Sequence, residues 1–315
     1  MNKVKVAVLG YGHLGKWHTE KAFNLENSEL IAIVESYEPN QKAAQEKYPN
    51  LKIVNDIKEV IDEIDAAVIV TPTSTHFELC KYLMENKKHV FCEKPICPTL
   101  TQALKLEDSL VEGKVVQVGH SERCHQIWET LRPKIHSLGT PSHIKVTRVA
   151  AFKGRATDVD VVQDLMIHDL DLCKWLINEE VISVQAFGNK IRTGKWDHVT
   201  ALIKFINGSS AMITSSRNHV KEIRSLEVST DKGLHYVDLM NNTYSYAIND
   251  QFSNGEYVET SNYEKRDHLL MEQKEFYSSI LENREPMVDY YDGVRAVRLV
   301  QAVIESLESG DEIKL

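Results

Sequence analysis

The chain has 315 residues, of which 42% are hydrophobic and 26% are charged, and its formal net charge is −9. These values are typical of a folded globular protein and exclude a disordered chain, a collagen-like fibre and a disulfide-stapled miniprotein. The acidic balance, without a basic stripe, argues against nucleic acid as the main partner. At about 150 residues per domain, the length predicts two domains.

The five cysteines are scattered and contain no C-x-x-C pair. We therefore expect reduced thiols and no metal site. No apolar run approaches the ~20 residues that a membrane span needs. The first residues lead directly into a short apolar strand that a glycine turn interrupts. This apolar run is too short for a signal peptide. We expect a cytoplasmic protein without a membrane span.

Residues 1–120 alternate between strand and helix patterns. Short, nearly continuous apolar runs are separated by helical stretches, the first of them from about residue 14 to 25. Such runs predict parallel strands covered on both faces, and hence an N-terminal Rossmann domain of the doubly wound α/β class. The predicted strands cover residues 4–9, 29–34, 52–54, 66–70, 89–91 and 115–118.

After Gly119 the pattern changes to that of an α+β domain with a largely antiparallel open sheet, predicted over residues 121–315. Asn207-Gly208 is the strongest hairpin signal, and Asp231-Lys232-Gly233 marks a second turn. The predicted elements are helices at about 123–137 and 160–177, a strand at 144–149, consecutive strands over 181–260, and closing helices at about 266–283 and 291–308. The alternative for the closing helices is that they pack on the first domain.

Gly10-Tyr11-Gly12-His13-Leu14-Gly15 forms a G-x-G-x-x-G motif directly after the first strand and at the start of a helix. In this context the glycines allow a tight turn, and the helix N-terminus offers free N–H groups to a pyrophosphate. Glu35 ends the second strand, where a carboxylate can accept both ribose hydroxyls and repel a 2′-phosphate. We predict NAD rather than NADP as the cofactor. The alternative is a glycine turn in an α/β protein that binds no nucleotide.

Two further loops follow strands, and ligands of open α/β sheets bind beyond the carboxyl ends of the strands. We therefore predict that both loops contact the cofactor. The first is Thr71-Pro72-Thr73-Ser74-Thr75-His76, whose hydroxyls could alternatively cap the next helix. The second is Cys92-Glu93-Lys94-Pro95, in which Lys94 can stabilise a developing alkoxide. The alternative for Lys94 is an ordinary surface lysine.

The helix predicted over residues 160–177 is apolar around most of its circumference, yet Asp164, His168, Asp171 and Trp175 fall on one stripe. Histidine, with an unperturbed pKa of ~6.5, suits a general base for alcohol oxidation, and Asp164 would orient it or the substrate. The alternative is a structural His–Asp pair. Further substrate contacts, alternatively caps or surface ion pairs, are predicted among Arg123, Arg155, Thr157 and Asp160.

The glycine motif, the Thr71-Pro72 loop, Glu93-Lys94-Pro95 and the helix that carries Asp164 and His168 together resemble the Gfo/Idh/MocA family of nicotinamide-dependent sugar oxidoreductases. The resemblance covers essentially the whole chain. It implies a sugar dehydrogenase in which Lys94, Asp164 and His168 line a catalytic crevice between the domains. It also implies that the open sheet forms contacts between identical subunits, in a homodimer or homotetramer.

Residues 117–123 and 157–169 more narrowly resemble the UDP-N-acetylglucosamine 3-dehydrogenases of that family. This implies oxidation of the sugar C3 hydroxyl to a ketone, from which an aminotransferase makes the 3-amino sugar of some lipid A. Where that group usually has an aromatic residue, asparagine and proline, this chain has Cys124-His125-Gln126, which leaves the sugar open. The alternatives are another sugar or inositol, in either direction of reaction, and a non-catalytic NAD-binding regulator.

Overall fold

The computed structural model describes residues 3–137, 141–154, 157–248 and 258–315. The chain divides into two compact units. Unit 1 comprises residues 1–121 and 267–297, and unit 2 comprises residues 122–266 and 298–315. The predicted division after residue 120 lies next to the first of these breaks. Residues 267–297, however, pack in unit 1, whereas the sequence pattern had placed them in the second domain.

Unit 1 is built around a six-stranded parallel sheet. Its strands are β1 (Val4–Leu9), β2 (Ser28–Val34), β3 (Lys52–Val54), β4 (Ala66–Ile69), β5 (His89–Glu93) and β6 (Val116–Gly119). Its first four helices are α1 (His13–Asn24), α2 (Glu38–Lys47), α3 (His76–Glu85) and α4 (Leu100–Lys105). The strand order is β3-β2-β1-β4-β5-β6, which confirms the predicted doubly wound Rossmann architecture. Every residue of β4 and β5 is buried, as expected for strands covered on both faces.

Unit 2 contains a nine-stranded sheet. Its strands are β7 (His143–Val149), β8 (Val181–Asn189), β9 (His198–Phe205), β10 (Ser210–Ser216), β11 (Ile223–Thr230), β12 (Gly233–Asp238), β13 (Thr243–Ile248), β14 (Val258–Asn262) and β15 (Ile313–Lys314). The order is β14-β13-β12-β11-β7-β10-β9-β8-β15. Among the described strands, β7 and β10 pair in parallel and the other pairs are antiparallel, which confirms the predicted sheet type. The predicted hairpin joins β9 to β10, with Gly208 at a φ of +86°.

Two helices, α5 (Ile127–Ser137) and α6 (Ile167–Ile177), belong to unit 2. The single helix predicted over residues 160–177 is instead a π-helical turn at Val162–Met166 followed by α6. Asp160 caps this segment, because its Oδ1 accepts hydrogen bonds from the backbone N–H groups of Val162 and Gln163, each at 3.1 Å. The helix predicted from residue 123 is a 3-10 turn at Ser121–Cys124, and α5 begins only at Ile127.

The closing helices are α7 (His268–Glu282) and α8 (Tyr290–Ser309). Phe276 of α7 lies against Phe91 of β5, with ring centroids 5.9 Å apart, and both rings are buried in one core of unit 1. Val294 and Val297 of α8 join a second core of the same unit. Residues 267–297 belong to unit 1 for this reason. Helical periodicity shows that a helix has an apolar face but not which core that face covers.

All five cysteines are free and buried. Within the described ranges, no group of three or more His, Cys, Asp or Glu side chains is arranged to hold a metal ion. None of the helices in those ranges combines the length and the apolar character that crossing a membrane requires.

Candidate active site

Two glycines of the turn after β1 are required by its geometry. Gly10 has a φ of +94°, and a Cβ there would stand 2.8 Å from the carbonyl oxygen of Val70. A Cβ on Gly15 would stand 2.2 Å from the Gly10 oxygen. Around the Cβ position of Gly12, by contrast, there is no atom within 4 Å, and α1 starts at His13 without a side-chain cap. This open helix N-terminus fits the pyrophosphate of a dinucleotide.

Glu35 follows β2 and is held in place by three donors. Its Oε2 accepts hydrogen bonds from the N–H of Tyr11 at 2.8 Å and from Nδ2 of Asn40 at 3.1 Å, and its Oε1 accepts one from the N–H of Tyr37 at 2.8 Å. Burial raises the pKa of the Glu35 carboxyl, but these hydrogen bonds outweigh burial and leave the pKa below its usual value. The group is therefore a carboxylate, which suits ribose hydroxyls and repels a 2′-phosphate. Asn40, which orients Glu35, carries no signal in the sequence that would mark it as part of the site.

The loop after β4 is stabilised by its own hydroxyls. The Thr71 and Thr75 hydroxyl oxygens lie 2.6 Å apart, and Thr75 also donates to the Pro72 carbonyl at 2.8 Å. Residues Thr73–Thr75 form a 3-10 turn, and no side-chain hydrogen bond caps α3 after it. The hydroxyls therefore shape the loop and do not cap the helix.

His76, predicted to contact the cofactor, lies between two backbone carbonyl groups. Its ring is buried, with Nδ1 2.8 Å from the Pro95 carbonyl oxygen and Nε2 3.0 Å from that of Thr71. Both ring nitrogens are thus engaged with backbone. His76 links the Thr71 loop to the turn that follows β5, and the structure assigns it to positioning those two loops.

The carboxylate of Glu93, at the end of β5, is also buried and engaged. Its Oε1 lies 2.9 Å from Nε2 of His18, and its Oε2 accepts the Lys94 backbone N–H at 3.2 Å. A Cβ on Gly119 would come within 3.0 Å of this carboxylate, so a glycine is needed there. Burial raises the pKa of Glu93, but the His18 hydrogen bond and the Lys94 charge lower it below its usual value. Glu93 therefore fixes the turn before the cis Lys94–Pro95 peptide, and its contact with the cofactor stays a prediction.

Gln273 of α7 extends this contact into a chain of buried hydrogen bonds. Its Nε2 lies 2.9 Å from Nδ1 of His18 and donates to the His18 carbonyl at 2.9 Å, while its Oε1 accepts the Tyr277 hydroxyl at 2.9 Å. Because Nε2 is the donor, Nδ1 of His18 must accept, and the ring proton lies on Nε2 and is donated to Glu93. His18 and Gln273 were not predictable from the sequence, because they stand 255 positions apart with no local motif to join them.

His168 lies half-buried in the first turn of α6, and two buried ion pairs hold the helix directly after it. Asp169 binds Arg148 of β7 through Nε and Nη2, both at 2.8 Å. Asp171 binds Arg123 through Nε at 2.8 Å and Nη2 at 2.5 Å. Such bidentate pairs fix direction as well as distance. They anchor the backbone that carries His168 to the sheet and to the 3-10 turn before α5.

Arg123 and Trp175 both have structural partners in unit 2. Arg123 is 4% exposed and its guanidinium is bound to Asp171, which matches the ion-pair alternative, although nothing in the structure tests a substrate contact. Trp175 ends the predicted stripe against Arg132, whose guanidinium lies 4.3 Å from the ring centroid. Asp164 and His168 remain half-buried. Arg155 lies outside the described residues.

The residues that replace the usual pattern at 124–126 are mostly buried. His125 Nε2 lies 3.1 Å from Glu122 Oε2, and Glu122 Oε1 binds Arg148 at 3.0 Å. Burial raises the pKa of Glu122, but the positive charge of Arg148 and the His125 hydrogen bond hold it well below its usual value. Gln126 accepts a backbone hydrogen bond from Glu264. His125 and Gln126 therefore have structural partners within unit 2 itself.

Two family profiles match the chain. Residues 4–120 match the GFO_IDH_MocA profile, described as an oxidoreductase family with an NAD-binding Rossmann fold. Residues 137–236 match the Gfo/Idh/MocA C-terminal domain. The first match covers the glycine turn, Glu35 and the loops after β4 and β5.

Named relatives cover nearly the whole chain. A UDP-N-acetylglucosamine 3-dehydrogenase of Acidithiobacillus ferrooxidans is 32% identical over 97% of this chain and 96% of its own. A myo-inositol 2-dehydrogenase of Thermotoga maritima is 27% identical over 99% of this chain and 98% of its own. A solved structure of the Acidithiobacillus enzyme superposes with a TM-score of 0.90 at 30% identity, covering 98% of this chain and 99% of that one.

A scyllo-inositol dehydrogenase from Lactobacillus casei, solved with NAD(H) and scyllo-inositol, has a TM-score of 0.84 at 20% identity and covers 99% of both chains. At that identity the likeness shows a shared fold. The two profiles and the 32% identical relative show the family. The chain belongs to the Gfo/Idh/MocA family of oxidoreductases and is an NAD-dependent enzyme.

Proposed function

We propose that this enzyme oxidises a secondary hydroxyl of a sugar, and that its substrate is UDP-N-acetylglucosamine, oxidised at C3 to the 3-keto sugar. The observation that carries the proposal is the 32% identity to a UDP-N-acetylglucosamine 3-dehydrogenase over 97% of the chain. The chain also contains the three residues to which the family resemblance assigns catalysis, namely Lys94, Asp164 and His168. An aminotransferase would then consume the ketone to make a 3-amino sugar of the lipid A type.

His168 is the residue that we assign as the general base. The ion pairs at Asp169 and Asp171 hold α6 directly after it, so its backbone has a defined position. A neutral imidazole nitrogen can take the proton of the substrate hydroxyl as the adjacent C–H bond breaks. Asp164, four residues earlier, would bind the sugar or orient His168.

Lys94 is assigned to the oxygen of the same hydroxyl. Its backbone N–H donates to Glu93, and Glu93 is held by His18, so the main chain at Lys94 is fixed. The positive charge of Nζ stabilises the negative charge that develops on the oxygen. NAD, when bound, supplies the acceptor for the hydride. The substrate thereby loses a hydride from carbon and a proton to His168, and becomes a ketone.

The second candidate substrate is an inositol. The 27% identity to a myo-inositol 2-dehydrogenase over 99% of the chain favours it. The same three residues would act on a ring hydroxyl of this neutral polyol. The two candidates differ in charge, because only the nucleotide sugar carries a diphosphate.

We also propose that the enzyme is a homodimer or homotetramer assembled through the sheet of unit 2. On one face of this sheet, Leu202 of β9 and Met212 of β10 stand directly opposite each other and are half-buried. Phe187 of β8 is 63% exposed. Light scattering of the purified protein tests the proposal, and a monomer at micromolar concentration would contradict it.

The substrate proposal is tested by following NADH absorbance with NAD and UDP-N-acetylglucosamine. Sugar oxidation by NAD is uphill, so a 3-keto-sugar aminotransferase and glutamate are added to remove the ketone. UDP-glucose, glucose and myo-inositol are assayed in parallel. NADH formed only with UDP-N-acetylglucosamine supports the proposal, and NADH formed with myo-inositol but not with the nucleotide sugar replaces it with the second candidate.

A further inference from the structure

A small cavity of unit 2 lies beside Asp164. It encloses about 50 Å³, several times the space that one water needs. The segments that form it are the end of β7 with the residues after it, the start of β11, and the π-helical turn. The charged side chains that line it include Arg148, Lys153, Asp164, Arg217, Glu222 and Arg224.

Arg148 and Arg224 stand directly opposite each other on the antiparallel strands β7 and β11. Opposite residues of such a pair point to the same face of the sheet, and like charges there repel. Arg148 is compensated, since Asp169 and Glu122 both bind its guanidinium. Arg224 therefore lies beside a second arginine, on the sheet face that carries α6.

Arg224 has weaker partners than Arg148. Across the described ranges of the chain, its guanidinium makes no hydrogen bond, its one ion pair is with Glu222 at 3.9 Å, and its charge also interacts with the buried Asp169 carboxylate. The side chain is nevertheless only 38% exposed. A guanidinium carries five N–H donors in a planar fork that matches the oxygens of a phosphate. Most of the donors of Arg224 are available to a ligand in this cavity.

Lys153 adds a second cation at the same place. It lies just beyond β7 and contacts Glu222 at 2.9 Å, with 54% of its side chain exposed. Glu222 thus faces two cations, Lys153 and Arg224. The longer contact, between Arg224 and Glu222, leaves Arg224 able to turn towards an anionic ligand. Lys153 can add its charge to the same ligand while it keeps its contact with Glu222.

We infer that this cavity is the subsite for the diphosphate of a nucleotide-sugar substrate, with Arg224 as the bidentate donor and Lys153 as the second charge. The inference rests on the proposed function, in which the sugar reacts near Asp164 and His168. It also separates the two candidate substrates, because a neutral inositol has no group that would use Arg224. Arg224 and Lys153 are then residues that determine specificity.

The test compares Arg224→Gln and Lys153→Gln with the control Lys232→Gln, which makes the same charge change in the turn at the far end of β11. UDP binding is measured by calorimetry with NADH present, and KM and kcat are measured with UDP-N-acetylglucosamine. We expect Arg224→Gln to weaken UDP binding and raise KM about 10- to 100-fold, the effect of one lost charged hydrogen bond. We expect kcat to stay within about twofold and the control to behave as the wild type.

The outcomes separate the subsite from the proposed function. Suppose that the wild-type enzyme oxidises UDP-N-acetylglucosamine, and that both variants have the wild-type KM and the wild-type affinity for UDP. The assignment of the subsite is then wrong, and the proposed function stands. If UDP binds through Arg224 but UDP-N-acetylglucosamine is not oxidised, the subsite stands and the substrate is another nucleotide sugar. Uridine is a check that needs no variant, because it lacks the phosphates. Wild-type enzyme that binds uridine as tightly as UDP, or binds no UDP, overturns the inference.

Discussion

Gln273 sets the hydrogen-bonding state of His18, although 255 positions separate the two residues. Its Nε2 donates both to His18 Nδ1 and to the His18 carbonyl, which leaves the ring proton on Nε2, facing Glu93. Glu93 in turn accepts the backbone N–H of Lys94. The turn that carries Lys94 therefore depends on a side chain of α7, near the end of the chain.

Gln273→Leu removes the donors to His18 and leaves the buried Tyr277 hydroxyl without its acceptor. We expect the free energy of unfolding to fall by about 1–3 kcal/mol, since buried groups lose their partners. We also expect kcat to fall about 10- to 100-fold, because Glu93 loses its fixed donor and the Lys94 turn shifts. Urea denaturation measures the first effect, and steady-state kinetics measures the second.

Tyr277→Phe is the matched control. It removes the hydrogen bond to Gln273 Oε1 and keeps the donors from Gln273 to His18. We expect a stability loss of about 0.5–1.5 kcal/mol and an unchanged kcat. If both variants lose kcat to the same extent, the effect is one of general stability, and Gln273 does not position the site.

The sequence was sufficient to predict the doubly wound Rossmann architecture of unit 1 because its signals are local. The glycine motif stands between an apolar strand and a helix, and Glu35 follows the next strand. The same holds for the Asn207-Gly208 hairpin, whose turn conformation requires glycine. Residues 267–297 could not be placed, because their assignment depends on which core their apolar faces cover.

The positioning residues of the candidate site could not be predicted for a related reason. Arg148 and Asp169 are joined across 21 positions, and His18 reaches Glu93 across 75. Neither pair leaves a spacing pattern in the sequence. The ion pair of Arg123 was unpredictable for the same reason, because its partner Asp171 lies 48 positions away in the sequence. The positioning residues therefore come from segments far apart in the sequence.

Lys94→Ala and His168→Asn should abolish most turnover while leaving NAD binding nearly intact. Loss of a positioned acid or base typically lowers the rate about 10²- to 10⁴-fold. The glycine turn and Glu35, which we assign to the cofactor, are untouched by either change. Kinetics with the substrate gives the first quantity, and NADH fluorescence gives the second. A large loss of NADH affinity in both variants would refute the assigned roles.

Glu35→Ala should weaken NAD binding and reduce the preference for NAD over NADP. The carboxylate is ionised, so its removal deletes hydrogen bonds to ribose and also the repulsion of a 2′-phosphate. We expect the NAD affinity to fall about 10- to 100-fold and the NADP affinity to rise. Glu38→Ala is the control, because Glu38 is exposed and pairs with Lys42 in α2. Equal changes for NAD and NADP would contradict the role of Glu35.

His89 makes the stability of unit 1 depend on pH. Burial lowers its pKa to about 4, helped by the charge of Lys114, and its Nδ1 accepts the Val115 N–H at 2.9 Å. Since the unfolded residue takes up a proton at ~6.5, stability is highest above that pH and falls as the pH drops towards 4. At pH 5 the gap of about 1.5 units corresponds to roughly 2 kcal/mol. His89→Gln should remove this part of the pH dependence of the free energy of unfolding, measured with urea between pH 7 and 5. The surface control His219→Gln should retain it. Equal slopes for wild type and His89→Gln would show that His89 is not the group responsible.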